Sequence, residues 1–259
     1  MPGLQILQRL RDEPFNKATE RILESHPYIR AAEDGTLTLS QRRAFAHEQY
    51  SIQFSDAISF AFLAGHRDFA PRSLAGVSVP EQPSTTGTSS SSSSEGEGGA
   101  TVDLFQFLLG GEVYAAPLLL AYAKSVGLDE DSLRQHQQHS ASAQAYPSYW
   151  ARLAMSNKRA AAAAACAVNF PAWGAMCGRL LESLGSSGGD GGKEYNYANG
   201  VDDEGLAFIK FFATPIEELD MMAAAVLDEE DVSYEDLVEP VRLLQQYEIM
   251  FWDAIFEQK

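Results

Sequence analysis

The chain has 259 residues, 45% of them hydrophobic, which suffices for a full core in one or two domains, and its formal net charge is −17. That charge leaves no excess of Lys and Arg to neutralise phosphates, which argues against a nucleic-acid partner. The two cysteines, Cys166 and Cys177, fall in one apolar stretch without Cys/His ligand spacing, so neither a disulfide framework nor a structural zinc site is expected and a reducing, cytoplasmic setting fits.

Met1 to Arg30 is charged and amphipathic and lacks a continuous apolar stretch, so no secretory leader is expected; Leu4, Leu7, Ile22 and Leu23 mark a helical region interrupted near Pro14. A second helix follows the turn Asp34-Gly35, with Thr38 or Ser40 as its N-cap, and runs to about Gly65. From residue 72 to 101 the composition turns to Ser, Gly, Thr and Pro, including an unbroken Ser89 to Ser94, and predicts a disordered surface insertion. Helical periodicity resumes over Leu104 to Val126, Asp131 to Ser156 and an Ala-rich stretch ending at Leu184. A second flexible loop is expected at 185–200. The uncharged run Ala160 to Gly178 has the length of a membrane span, but its Asn169, Pro171 and Gly174 identify a buried core helix, and no membrane partner is expected. Glu204 to Phe212, Pro215 to Leu227 with Pro at the helix start, and Tyr234 to Gln258 after Ser233 complete the pattern. No alternating strand segment and no repeat stands out, so residues 1–259 read as one all-α domain with two loop insertions.

Glu248 is the most informative residue. Helical spacing from Leu244 places it on one face with Phe251, Trp252 and Ile255, where an unpaired carboxylate costs several kcal/mol or takes a raised pKa. Such a group has a partner, a ligand or a catalytic task; the alternative is a helix-end residue that reaches solvent or an Arg. Phe45, Gln49, Ile52 and Asp56 align on the second helix as a strip that faces either a cavity or solvent. His136 and His139 have the spacing of half a metal pair, but their Gln and Ser neighbours favour a solvated face. Glu112 would be a first diiron ligand, yet Ala115, Ala116, Pro117 and Leu119 stand where a following His would be needed, so no metal is expected. Trp150, Trp173, Phe211 and Phe212 suit a core or the wall of an aromatic site.

His26-Pro27-Tyr28, Asp34-Gly35-Thr36-Leu37 and His47-Glu48-Gln49-Tyr50 resemble the opening of the TenA/THI-4 (thiaminase II) family, and Tyr247-Glu248-Ile249-Met250-Phe251-Trp252 resembles its last-helix signature. Asn169-Phe170-Pro171-Ala172-Trp173 with Gly178 is a looser match to the family's Pro-Cys-x-Trp helix. The resemblance implies a heme-oxygenase-like helical bundle, a homo-oligomer (dimer or tetramer), and a pocket for an aminopyrimidine such as the pyrimidine half of thiamin, with no cofactor. It implies that Glu248 is the catalytic proton carrier and that Tyr146 or Tyr149 shapes the site, with Trp252 beside it. The family's ring-binding Asp falls on Gln49, and its Cys nucleophile falls on Phe170, or on Ala172 with the gap moved. The next tyrosine positions fall on Gly174 and near Pro215. Cys166, four residues before Phe170, shares its helix face, either as a replacement thiol or as a small core residue. Three functions follow as expectations: a hydrolase or salvage enzyme acting on a thiamin-derived aminopyrimidine; a non-catalytic binder of a small aromatic or amphipathic ligand; or an interaction protein working through its Ser-rich loop.

Overall fold

The computed structural model describes residues 2–81, 102–134, 139–185, 203–230 and 232–258. Every regular element among them is helical: α1 (Pro2–Arg11), α2 (Pro14–Glu24), α3 (Pro27–Glu33), α4 (Leu39–Leu63), α5 (Leu104–Ser125), α6 (Glu130–Arg134), α7 (Ala141–Met155), α8 (Arg159–Gly185), α9 (Asp203–Ala213), α10 (Leu219–Glu229) and α11 (Tyr234–Phe256).

The boundaries have local causes. Pro14 and Pro27 sit in the first turn of α2 and α3, where a missing N–H costs nothing. His26 caps α3 through Nδ1, which accepts from Tyr28 N at 3.2 Å. Thr38 caps α4 in a reciprocal capping box with Gln41, which leaves Ser40 inside the helix. Asp103 accepts from the amides of Phe105 and Gln106 at 3.0 Å each, and Ser233 accepts from Asp236 N, opening α5 and α11. α4 and α5 stop at Gly65 (φ 96°) and Gly127 (φ 77°), left-handed positions that favour glycine.

Three sequence expectations need correction. The stretch Asp131 to Ser156 is not one helix: α6 ends at Arg134, whose guanidinium bonds back to Glu130 and across to Tyr50, and α7 starts afresh at Ala141. Pro215 does not open a helix, because 214–218 form the turn that precedes α10. The start of the Ser-rich insertion is built into the fold, since Leu74 is buried, Ser73 bonds Glu130 and Gln106 bonds the Pro80 carbonyl. Residues 82–101 lie outside the described residues, and of the second expected loop only Gly185, the last residue of α8, lies within them.

α4 is the central helix, packed against α5 and α7, while α8 meets α9, α10 and α11. α4 runs antiparallel to α5, with Phe45 beside Tyr122 (ring centroids 5.3 Å) and Gln53 bonded to the Glu112 carbonyl. It is also antiparallel to α11, with Gln41 bonded to the Phe256 carbonyl at 2.7 Å and Phe45 facing Trp252 at 6.2 Å. This register puts Gln49 level with Glu248. The core has two halves: one around the alanines of α8, Trp150 and α10, the other around Phe45, Tyr28, Phe208 and Trp252. Tyr146 packs against both. α5 and α8 are long and apolar enough to cross a membrane, and the Ala160 to Asn169 stretch of α8 is buried within the bundle.

Pro171, inside α8, has no N–H for the carbonyl of Ala167, four residues earlier. Arg11 takes that carbonyl at 2.8 Å while pairing with Asp220, binding α1 to α8 and α10.

Candidate functional site

A cavity of about 1290 Å³ opens between α4, α5, α7, α8, α9 and α11. Its apolar walls come from Ile52, Phe170, Trp173, Phe208, Phe211, Phe212 and Phe251; its polar wall comes from Gln49, Gln53, Asp56, Glu112, Tyr146 and Glu248. Gln49, Gln53 and Asp56 recur at helical spacing along α4, so one stripe of that helix carries three of them.

Glu248 is 2% exposed. Trp252 Nε1 donates to its Oε1 at 3.3 Å and Asn169 bonds it as well, whereas Oε2 has no protein partner. Burial raises the carboxyl to about 7, against the opposing effect of the hydrogen bonds from Trp252 and Asn169. Gln49 Oε1 and Asp56 Oδ1 are likewise buried acceptors without partners. Burial, and then the negative charge of Glu112, pushes the Asp56 carboxyl well above the usual range. Glu112 is partly buried on the cavity wall, and burial pushes it up to about 8, against a bond from Gln53. Tyr146 lies within electrostatic reach of both Asp56 and Glu248; burial first, and then those charges, hold its phenol protonated, so it serves as a donor. The site therefore couples a carboxyl poised near neutrality to a flat aromatic space edged with unpaired acceptors.

Of the residues singled out from sequence, Glu248, Gln49, Tyr146 and Phe170 line this cavity together. Tyr149 does not. It faces Tyr247 (ring centroids 5.5 Å) and Arg152 (5.8 Å) on the far side of α7. Trp252 is fully buried, is not among the residues that line the cavity, and holds Glu248 through its indole N–H. Neither cysteine lines the cavity, and burial pushes both thiols well above their ordinary range, which leaves Cys166 a core residue. Ala172 also lies off the wall, while Gly174 is on it and Pro215 is at its rim. Glu112 was not anticipated as a cavity residue; its signal was a lone carboxylate in the otherwise apolar Leu104–Ser125.

His139 is exposed, as expected, but engaged: Nδ1 approaches Glu48 at 3.3 Å and the ring lies 4.3 Å from that of His47; His136 lies outside the described residues. Glu48 Oε1 accepts from Ser140 N at 2.7 Å and Oε2 from Gln144 Nε2 at 2.6 Å. The ligand atoms of His47, Glu48 and His139 lie within 4.8 Å of one another, but both Glu48 oxygens already serve as fasteners between α4 and α7.

A profile of the TENA/THI-4/PQQC family matches residues 90–258, well over half of the chain. The chain belongs to the TENA/THI-4/PQQC family. No curated protein sequence matches it. Among solved structures, the TenA homologue protein from P. horikoshii OT3 is similar in fold, with a TM-score of 0.63 and 12% identity over 98% of this chain and 99% of that one. Within this TENA/THI-4/PQQC chain, Glu248, Tyr146 and Phe170 fall inside the matched stretch and Gln49 before it. The opening family-like motif serves packing: His26 Nε2 lies 3.1 Å from Asp253 of α11, and the Tyr28 ring lies tilted 5.4 Å from that of Trp252.

Proposed function

We propose that the cavity binds a planar, N–H-rich heterocycle of the aminopyrimidine class and that Glu248 transfers protons on it, in a hydrolytic or salvage reaction. The observation that carries this reading is the Glu248 carboxylate on the cavity wall: one oxygen is fixed by Trp252, the other is buried and unpaired, and burial brings its pKa to about 7. A group poised there serves as base and as acid at neutral pH. Gln49 Oε1, level with it, awaits a donor of the kind an exocyclic amine supplies. The aromatic walls suit a flat ring.

With Phe170 at the family's nucleophile position and no thiol in the wall, water is the attacking group. Its oxygen bonds to the carbon bearing the leaving amine, one proton passes to the Glu248 carboxylate, and the protonated carboxyl returns a proton to the departing nitrogen. An amine and an alcohol or carbonyl product result. A second reading, a binder without turnover, is favoured by the same Phe170.

The test is a thermal-shift and turnover assay with thiamin, 4-amino-5-hydroxymethyl-2-methylpyrimidine and 4-amino-5-aminomethyl-2-methylpyrimidine, run beside Glu248→Gln. Saturable stabilisation with Glu248-dependent product is expected. Stabilisation without product establishes the binder, and no response to any of the three ends the aminopyrimidine reading.

A further inference from the structure

The cavity is larger than its proposed ring. Ligand pockets commonly hold about 300–1,000 Å³, and this one, at about 1290 Å³, leaves room beyond a single heterocycle. The free volume has its own chemistry. Asp56 lies two turns beyond Gln49 on α4, about 10 Å along the axis at 1.5 Å per residue, so it stands well past the level of Glu248. At that far end α4 and α5 are bonded through Gln53 and Glu112, and the two carboxylates, Asp56 and Glu112, share one wall.

Among the described residues no hydrogen bond or ion pair joins a cation to either carboxylate. Arg11 lines the cavity but is engaged by Asp220 and by the Ala167 carbonyl. Gln53 bonds Glu112, and Asp56, 5% exposed, keeps Oδ1 unpartnered. A buried carboxylate oxygen without a donor, on a residue that lines the cavity, calls for one from a ligand. A compact metal ion is not indicated, because among the described residues the one set of ligand atoms close enough to share an ion is His47, Glu48 and His139, away from this cavity.

We infer that Asp56 and Glu112 form a second subsite, for the protonated amine or amidine end of an elongated ligand whose ring lies against Gln49 and Glu248. The cation must carry N–H bonds, since Asp56 Oδ1 lacks a hydrogen-bond donor, and a fully substituted ammonium offers none. The dyad suits a cation: burial and mutual proximity make two neighbouring carboxyls resist ionising, and a bound positive charge relieves that resistance. The subsite itself stands on the cavity alone, while the elongated ligand rests on the ring-binding reading above.

The experiment separates the two ends. Binding of hexylammonium, of hexyltrimethylammonium and of 4-amino-5-hydroxymethyl-2-methylpyrimidine is measured by calorimetry and thermal shift on wild type, Glu112→Gln, Asp56→Asn/Glu112→Gln and Glu248→Gln. Hexylammonium should bind wild type and Glu248→Gln within about twofold, lose at least tenfold in the double variant, and outbind its trimethyl analogue by at least tenfold. The pyrimidine should show the reverse pattern, weakened by Glu248→Gln and unchanged in the double variant. Hexylammonium that fails to bind, or binds the double variant as well as wild type, overturns the subsite. Hexylammonium binding as expected with no pyrimidine binding sinks the ring reading and leaves the subsite standing. Should the double variant not fold, Glu112→Gln alone, on the accessible wall, must still weaken hexylammonium several-fold.

Discussion

Glu48 and Gln49 are neighbours in α4 and open onto different worlds. On the Glu48 side, every oxygen is taken: Ser140 N, Gln144 Nε2 and His139 surround one carboxylate, and Ser51 Oγ holds the Gln144 carbonyl oxygen at 3.0 Å. On the Gln49 side, acceptors are buried just as deeply but left open: Gln49 Oε1, Asp56 Oδ1 and Glu248 Oε2. Burial alone therefore does not mark a site in this protein. What sets the Gln49 side apart is that its unpaired acceptors belong to residues that line one cavity, whereas Trp150 Nε1 and Gln245 Oε1, also buried and unpaired, do not.

Substitutions on the two sides should fail in opposite ways. The largest effect is expected at Glu248→Gln: turnover of any aminopyrimidine substrate should fall by about 10²–10⁴, the range of a lost general acid–base, while the melting temperature stays level or rises. A variant that keeps full activity removes Glu248 from the chemistry. Glu48→Ala should do the reverse. It strands the Ser140 amide and the Gln144 side chain, about 1–3 kcal/mol for each buried group left unsatisfied, and in a chain of this size about 2–4 °C of melting temperature follows each kcal/mol. Ligand affinity should survive at temperatures where the protein is folded. If Glu48→Ala melts like wild type, the α4–α7 seam is not a fastener.

A smaller, graded effect concerns pH. Glu112 and Glu248 ionise near 4.5 in the unfolded chain, but in the fold burial holds them up to about 8 and about 7. Between those values the unfolded chain has released protons that the fold retains. The stability these groups contribute is therefore full below about pH 4.5 and is lost as pH rises toward 8. Glu112→Gln should gain on wild type progressively from pH 5 to pH 8 in thermal melts; a constant difference across that window would show that Glu112 ionises normally. The smallest effect is Ser51→Ala, which loses one part-buried bond to Gln144, about 0.5–1.5 kcal/mol, and leaves the cavity untouched.

The all-α architecture was legible in the sequence because its signals are local: prolines at helix starts, Thr38 with Gln41, Ser233, and glycines at the stops. The break after Arg134 was not legible. The periodicity runs through it, and the last described residue of α6, Arg134, is held by Tyr50, a distant residue. Glu248 stood out since a carboxylate among Phe251, Trp252 and Ile255 violates a one-helix pattern. Choosing Tyr146 over Tyr149 required knowing which side of α7 meets α4 and which meets Tyr247, a fact no spacing encodes. Glu112 remained hidden for the same reason: its importance comes from Asp56 on another helix.

Arg11 and Pro171 make the rim of the cavity an agreement between the two ends of the fold. The proline withholds a hydrogen bond that the arginine then supplies, and both residues line the cavity. An alanine at 171 would return the Ala167 carbonyl to its own helix and leave Arg11 holding Asp220 alone. The side chain of Arg11 would then tie α1 to α10 alone, and a substitution on α8 would be felt at a part of the cavity wall that lies far from Glu248 in the chain.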